Sequence, residues 1–267
     1  GCLLTVNRKT PIHAEPGHMH VMVNKLSLLF TRRSWLIPLI LAAVTLVMHH
    51  SALNGFWRFD DGWFLGFATC YAPWEYFFLP SFTREISYAY IMPWLPLTYD
   101  INLAFFGLNP LGHYAHQLIS LWLAAYMSFL VLRLWIGLGW AIFGAMLFLV
   151  GAPTANIAQY LTTGHYLEGL FFACVAIYGF IRAMRNHGKY WGYWLALGVF
   201  SYGLACTCKE IYVPLPVILL ALPEGEWKRR LHFVAPFLAV TLLYLGWRTV
   251  VLGTFVGGYQ HDWGNIG

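Results

Sequence analysis

The sequence predicts an all-α, polytopic transmembrane bundle of about seven spans, and three observations predict it. Hydrophobic residues make up 59% of the chain and charged residues only 10%, more apolar side chain than a soluble domain of this length can bury. Several apolar runs are continuous, rich in Leu, Ala and Phe, and long enough to cross roughly 30 Å of hydrocarbon. A transmembrane β-barrel would instead show short alternating strands. The third observation is the placement of Lys and Arg, which follows once the spans are laid out.

Residues 1–34 read as a cytoplasmic N-terminal segment. Positions 1–21, with Pro11, Pro16, Gly17, His13, His18 and His20, lack the apolar core and small-residue cleavage site of a signal peptide. Met22 resembles a natural start, which makes the stretch before it an extension, and His18-Met19-His20 reads as a disordered tail sooner than as a metal site. A first span runs from Trp35 to Trp57. Residues 58–110 form a long first extracytoplasmic loop, in which Trp63, Phe64, Trp74, Tyr76 and Phe78 alternate with Gly, Pro and acids. Segments of that kind lie along the interface with their rings among the headgroups. Within this loop Ile86–Leu108 is apolar but broken by Pro93 and Pro96 and carries Asp100 and Asn102, so it is expected to be re-entrant or interfacial. Further spans are expected at Leu111–Leu134, Leu138–Ala155, His165–Met184, Tyr190–Cys208, Ile211–Pro223 and Leu231–Leu252. The module covers residues 35–255, and 256–267 form an extracytoplasmic tail.

Charge orients this layout. With the N-terminus inside, twelve of the 16 Lys and Arg, Arg8, Lys25, Arg133, Arg185 and Arg230 among them, fall in cytoplasmic segments. Arg58, Arg84 and Lys209 fall outside, with Arg248 near the outer end of the last span. This asymmetry matches the positive-inside rule. Most acids fall the other way, which puts the working face outside a cell membrane. The five cysteines are odd in number, and Cys174 and Cys206 sit in apolar runs. No disulfide framework is expected, and Cys206-x-Cys208 reads as packing.

Candidate chemistry gathers on the outer face. Asp60 and Asp61, directly after the first span, are suited to accepting a proton from an attacking hydroxyl or amine; the plainer reading is a hydrated loop start. Lys209-Glu210, at the junction of two spans, offers a cation for an anionic phosphate with an acid beside it, or else a simple interfacial ion pair. Arg248 either adds a second phosphate-binding cation or snorkels to the headgroups. His165-x-x-Glu168 places two ligands on one helix face, half of a divalent-metal site with Asp60 or Asp61, and His113 and His116 share that spacing for a metal or a tetrapyrrole. A Gly-rich phosphate loop is absent, which leaves no soluble nucleotide-sugar domain, and no nucleic-acid partner is expected.

The order of Phe59-Asp60-Asp61, Trp94-Leu95-Pro96-Leu97, Phe106-Gly107-Leu108-Asn109-Pro110, a span end with Pro153, Lys209-Glu210 and Val213-Pro214-Leu215-Pro216 resembles the N-terminal membrane module of the GT-C glycosyltransferases, in particular the protein O-mannosyltransferase-like branch. The resemblance covers about residues 35–255. It implies inverting transfer of a sugar from a polyprenyl-phosphate donor to a protein or lipid acceptor, with Asp61 or Asp60 as the catalytic carboxylate and Lys209-Glu210 near the donor pocket. The chain departs from the family at Leu95, where members often carry Arg, and at Leu121, where they often carry His, and members usually continue for several more spans, so the sequence is either a fragment or a shortened relative. The alternative is therefore a catalytically inactive relative acting as a structural or assembly subunit of a larger membrane complex, its aromatic surfaces against other helices or pigments.

Overall fold

A computed structural model describes residues 35–254 apart from Tyr88 and His187. The expected segment 1–34 with its His18-Met19-His20, and the tail 256–267, lie outside the described residues. The chain divides into two units, 1–39 and 40–267, and the architecture below is that of the second. All regular structure among the described residues is helical.

Helix α1 (Leu36–His49) runs on as a 3-10 turn, His50–Asn54. The first loop holds four short helices, α2 (Asp61–Cys70), α3 (Glu75–Phe78), α4 (Pro80–Ile86) and α5 (Trp94–Phe106). None is long enough to cross a bilayer at 1.5 Å per residue, and Ile86–Leu108 is not one helix, because Ser87–Pro93 breaks it. Helix α5 stops at Gly107, whose φ of 57° suits glycine. Helix α6 (Pro110–Leu132) starts at once, since the Asn109 side chain accepts from the Leu111 N–H at 3.1 Å and Pro110 sits where no N–H is needed.

Helices α7 (Leu138–Val150) and α8 (Ala152–Gln159) meet at a 54° bend, with Pro153 in the first turn of α8. Helix α9 (Gly164–Arg185) and helix α10 (Trp191–Cys208) pack most closely. A Cβ on Gly179 would lie 2.7 Å from the Trp194 carbonyl and 3.0 Å from the Gly198 Cα, so small residues set that approach. Helix α11 (Leu215–Ala221) and helix α12 (Trp227–Leu252) complete the chain. Phe180, Tyr202 and Phe237 form the centre of the α9–α10–α12 core. The Tyr202 hydroxyl reaches both Val213 O and Thr241 Oγ1, each at 2.7 Å.

The helices have two chemically distinct ends. At one, Glu224 takes the Arg185 guanidinium and the Trp135 indole N–H, and Arg230 donates to Glu224 O at 3.0 Å. The Arg185 charge holds the Glu224 carboxyl below its ordinary range. At the other, Glu210 pairs with Arg248. Arg230 and Arg248 are separated along α12 by about 27 Å at 1.5 Å per residue, so residues 210–224 run from one end to the other.

Four stretches are long and apolar enough to cross a membrane, Leu36–Asn54, Pro110–Leu132, Leu161–Arg185 and Trp227–Leu252, and the bent α7–α8 pair makes a fifth if it counts as one span. Seven were expected. The two that fall short have visible causes. Helix α10 opens on Trp191-Gly192-Tyr193-Trp194 and carries Gly198 and Gly203, which dilute its apolar content. The 210–221 stretch is cut by Pro214 and Pro216 into a 3-10 turn and a seven-residue helix.

Candidate functional site

Residues 89–99, the run into α5 and its first turns, touch Asp61, Lys209, Glu168, Glu210 and Arg248. Asp61 opens α2 and is buried, at 2% exposure. Its Oδ2 accepts from the Arg58 N–H at 2.6 Å and its Oδ1 from the Tyr99 hydroxyl. Burial raises the Asp61 carboxyl above the usual range, against the pull of those two donors. The same burial, with the Asp61 charge, raises the Tyr99 hydroxyl. Asp60 precedes the helix, is exposed and caps nothing with its side chain, so the two acids face different surroundings. Phe59, just before them, holds a φ of 48°, a left-handed backbone that costs a non-glycine residue about 1–2 kcal/mol. A Cβ on Gly62 would meet open space, so α2 is uncovered beside the acid pair.

Lys209 lies half-buried at the end of α10. Its Nζ sits 3.6 Å from the Tyr90 ring centroid and 5.4 Å from that of Tyr166, and none of the ion pairs among the described residues includes it. Burial pushes its pKa down to about 8. His165 is buried nearby on α9, with neither ring nitrogen in a well-formed hydrogen bond.

Glu210 does not hold Lys209. Lys209 is extended, at φ −161° and ψ 143°, so consecutive side chains diverge, and Glu210 turns to Arg248. The pair also secures the chain before α5, with Ile91 N–H donating to Glu210 at 3.1 Å and Arg248 Nη2 donating to Ala89 O at 2.8 Å. The positive charge of Arg248 is thus largely neutralised by Glu210.

Glu168, on α9, is buried and accepts from the Thr98 hydroxyl at 2.9 Å. His116 Nε2 lies 3.8 Å from its Oε1. The expected i, i+3 partner of Glu168, His165, is buried on the same helix, but no group of three metal-ligating side chains forms among the described residues. His113 points its ring at Trp57 and bonds the Gly107 carbonyl at 3.1 Å.

Asp61 and Lys209 therefore meet the same ten-residue stretch, one at Tyr99 and the other at Tyr90, without touching each other. Tyr90, Thr98, Tyr99 and Tyr166 escape a reading of the sequence, where they look like interfacial aromatics and a helix hydroxyl. One signal was available: in a chain this poor in charge, a loop beside acids and a lysine has to supply their hydrogen bonds.

The fold and this end together define a class, a helical protein with four or five apolar helices of membrane-crossing length and a polar cluster at one end of them. No family model, curated protein or solved structure matches the chain.

Proposed function

We propose that the chain is a GT-C-type glycosyltransferase of a cell membrane, moving a sugar from a polyprenyl-phosphate donor to a protein or lipid acceptor on the extracytoplasmic face. The layout that goes with it has seven crossings: α1, α6, the α7–α8 pair, α9, α10, residues 210–223 and α12. Lys209 is the observation that carries this reading. A cation half-buried among aromatic rings, with no acid paired to it among the described residues, favours an anion that arrives from outside the chain, and the anion a membrane-boundary site meets is a phosphate. Asp61 takes the proton as the acceptor oxygen or nitrogen bonds to the anomeric carbon. The bond from that carbon to the phosphate oxygen breaks, and the polyprenyl phosphate leaves with the electron pair beside Lys209. Each Asp61 oxygen has one hydrogen-bond donor and so keeps a lone pair; Tyr99 fixes its orientation. The chain reconstituted in vesicles with a panel of polyprenyl-phosphate hexoses tests the proposal. Transfer that is lost in Asp61→Asn supports it, and transfer undiminished in an Asp60→Asn/Asp61→Asn double variant rejects it.

One observation favours a second reading, an inactive structural or assembly subunit. Asp61 is buried, while Phe59 and Trp63 beside it in the chain, and Phe78 and Phe105 elsewhere in the first loop, are exposed, an arrangement suited to anchoring a loop and presenting rings to neighbouring subunits or lipid.

A further inference from the structure

Helices α5, α6 and α9 enclose a cleft of about 220 Å³ that opens to the surface, and it lies apart from Asp61 and Lys209. Its walls are mostly apolar. Trp94 and Phe172 meet edge to face with centroids 5.1 Å apart, and Phe171 stands beside them. Into this lining project Glu168, Thr98 and His116.

Glu168 has little to balance its charge. The Thr98 hydroxyl spans both of its oxygens, at 3.1 and 2.9 Å, and the Trp94 indole N–H is a second, uncharged donor to it. Its one ionisable partner among the described residues is His116, at 3.8 Å, which is beyond hydrogen-bond length. A buried carboxylate in apolar surroundings calls for a counter-charge with donors. Trp94, Phe171 and Phe172 line the same space, and an acid beside aromatic rings is the chemistry that holds an ammonium group. Anions are disfavoured on both counts. At about 220 Å³ the cleft is smaller than the ~300 Å³ at which drug-sized pockets begin, so it admits a head group and adjoining methylenes while a longer tail stays outside.

We infer that the α5–α6–α9 cleft binds the ammonium head of a single-chain amphiphile, with Glu168 as counter-ion, the Trp94, Phe171 and Phe172 rings as walls, and the hydrocarbon leaving through the open side. The inference makes no use of the transfer reaction and stands or falls separately from it.

The test is photolabelling of the purified full chain in lipid nanodiscs with a diazirine-bearing long-chain primary amine, beside the carboxylic acid and the alcohol of the same chain length. The amine is expected to label peptides of α5, α6 and α9, with unlabelled amine competing and the acid not. Glu168→Gln is expected to reduce that labelling about tenfold, and Ser120→Leu, which fills the cleft without touching the acid, to abolish it. Equal labelling by amine and acid, or labelling by the amine that survives Glu168→Gln in a protein with an unchanged melting profile, overturns the inference. Should Glu168→Gln not fold, the amine-to-acid preference of the native chain and its loss in Ser120→Leu decide the matter.

Discussion

Lys209 supports the most quantitative prediction, because one cause acts on two observables with opposite sign. Its ammonium is held down to about 8 by burial, with no acid paired to it among the described residues. At pH 7 about nine-tenths of the chains carry the charge and at pH 9 about one-tenth. A phosphodiester keeps a single negative charge throughout that range, so affinity for a polyprenyl-phosphate sugar should fall roughly tenfold between pH 7 and pH 9, each tenfold step being about 1.4 kcal/mol. A lysine at its ordinary value of about 10.4 would lose almost nothing over the same interval. Stability moves the other way. The folded pKa lies below the unfolded one, so between about pH 8 and 10.4 the unfolded chain binds more protons and folding stability rises with pH. Binding of a fluorescent polyprenyl-phosphate analogue, measured from pH 6.5 to 9.5 on the native chain and on Lys209→Met, reads the first effect, and unfolding in mixed micelles reads the second. Lys209→Met should bind weakly at every pH and lose that part of the rise in stability. Affinity that is flat to pH 9 in the native chain, or unaltered in Lys209→Met, would refute the reasoning.

Three other outcomes follow from the same geometry. Asp61→Asn should lower the transfer rate by about 10²-fold or more, whereas Asp60→Asn, altering an exposed side chain, should change it only a few-fold; equal losses in the two would mean that burial does not distinguish them. Tyr99→Phe removes the hydroxyl that Asp61 Oδ1 accepts from, and should cost about 1–3 kcal/mol in unfolding free energy, with a neutral result pointing to a water in its place. Cysteines introduced at Arg185 and Asp60 should react with impermeant reagents from opposite sides of the membrane, and reaction from one side would overturn the seven-crossing layout.

Much of the helical architecture was legible in the sequence because the bilayer reduces it to length and apolarity. Pro110–Leu132, Gly164–Arg185 and Trp227–Leu252 each lie within a few residues of an expected span. The bend between α7 and α8 was not foreseen, although Pro153 lies at its joint. Side-chain direction was the part that sequence order hid. Lys209-Glu210 and Asp60-Asp61 each look like a single unit in one dimension. In the fold, extended backbone at Lys209 sends Glu210 to Arg248, and the start of α2 sends Asp61 inward and leaves Asp60 outside. The partners that result lie far off in the chain, Tyr99 and Arg248 each 38 residues from Asp61 and Glu210 and Tyr90 farther still from Lys209, and no periodicity reports such pairings.

The Glu210–Arg248 pair makes sense as a solution to a backbone problem. Residues 89–93 are irregular chain leading into α5, and Pro93 lacks an N–H. A buried peptide group left unpaired costs about 1–3 kcal/mol, so irregular backbone that is buried, as Ala89 and Ile91 are, needs partners within the protein. Ala89 O and Ile91 N–H cannot find them in a helix or a ladder, and they find them instead in the guanidinium and the carboxylate. The ion pair satisfies one carbonyl and one amide with complementary charges that cancel, which a lone Arg or a lone Glu cannot do without leaving a charge uncompensated. Held this way, the loop delivers Tyr90 to Lys209 on one side and starts α5 so that Thr98 and Tyr99, adjacent residues about 100° apart around the helix, reach Glu168 and Asp61 in different directions. Arg248 is thereby compensated, and among the described residues Lys209 is left as a half-buried cation outside any ion pair, the group that a phosphate would need.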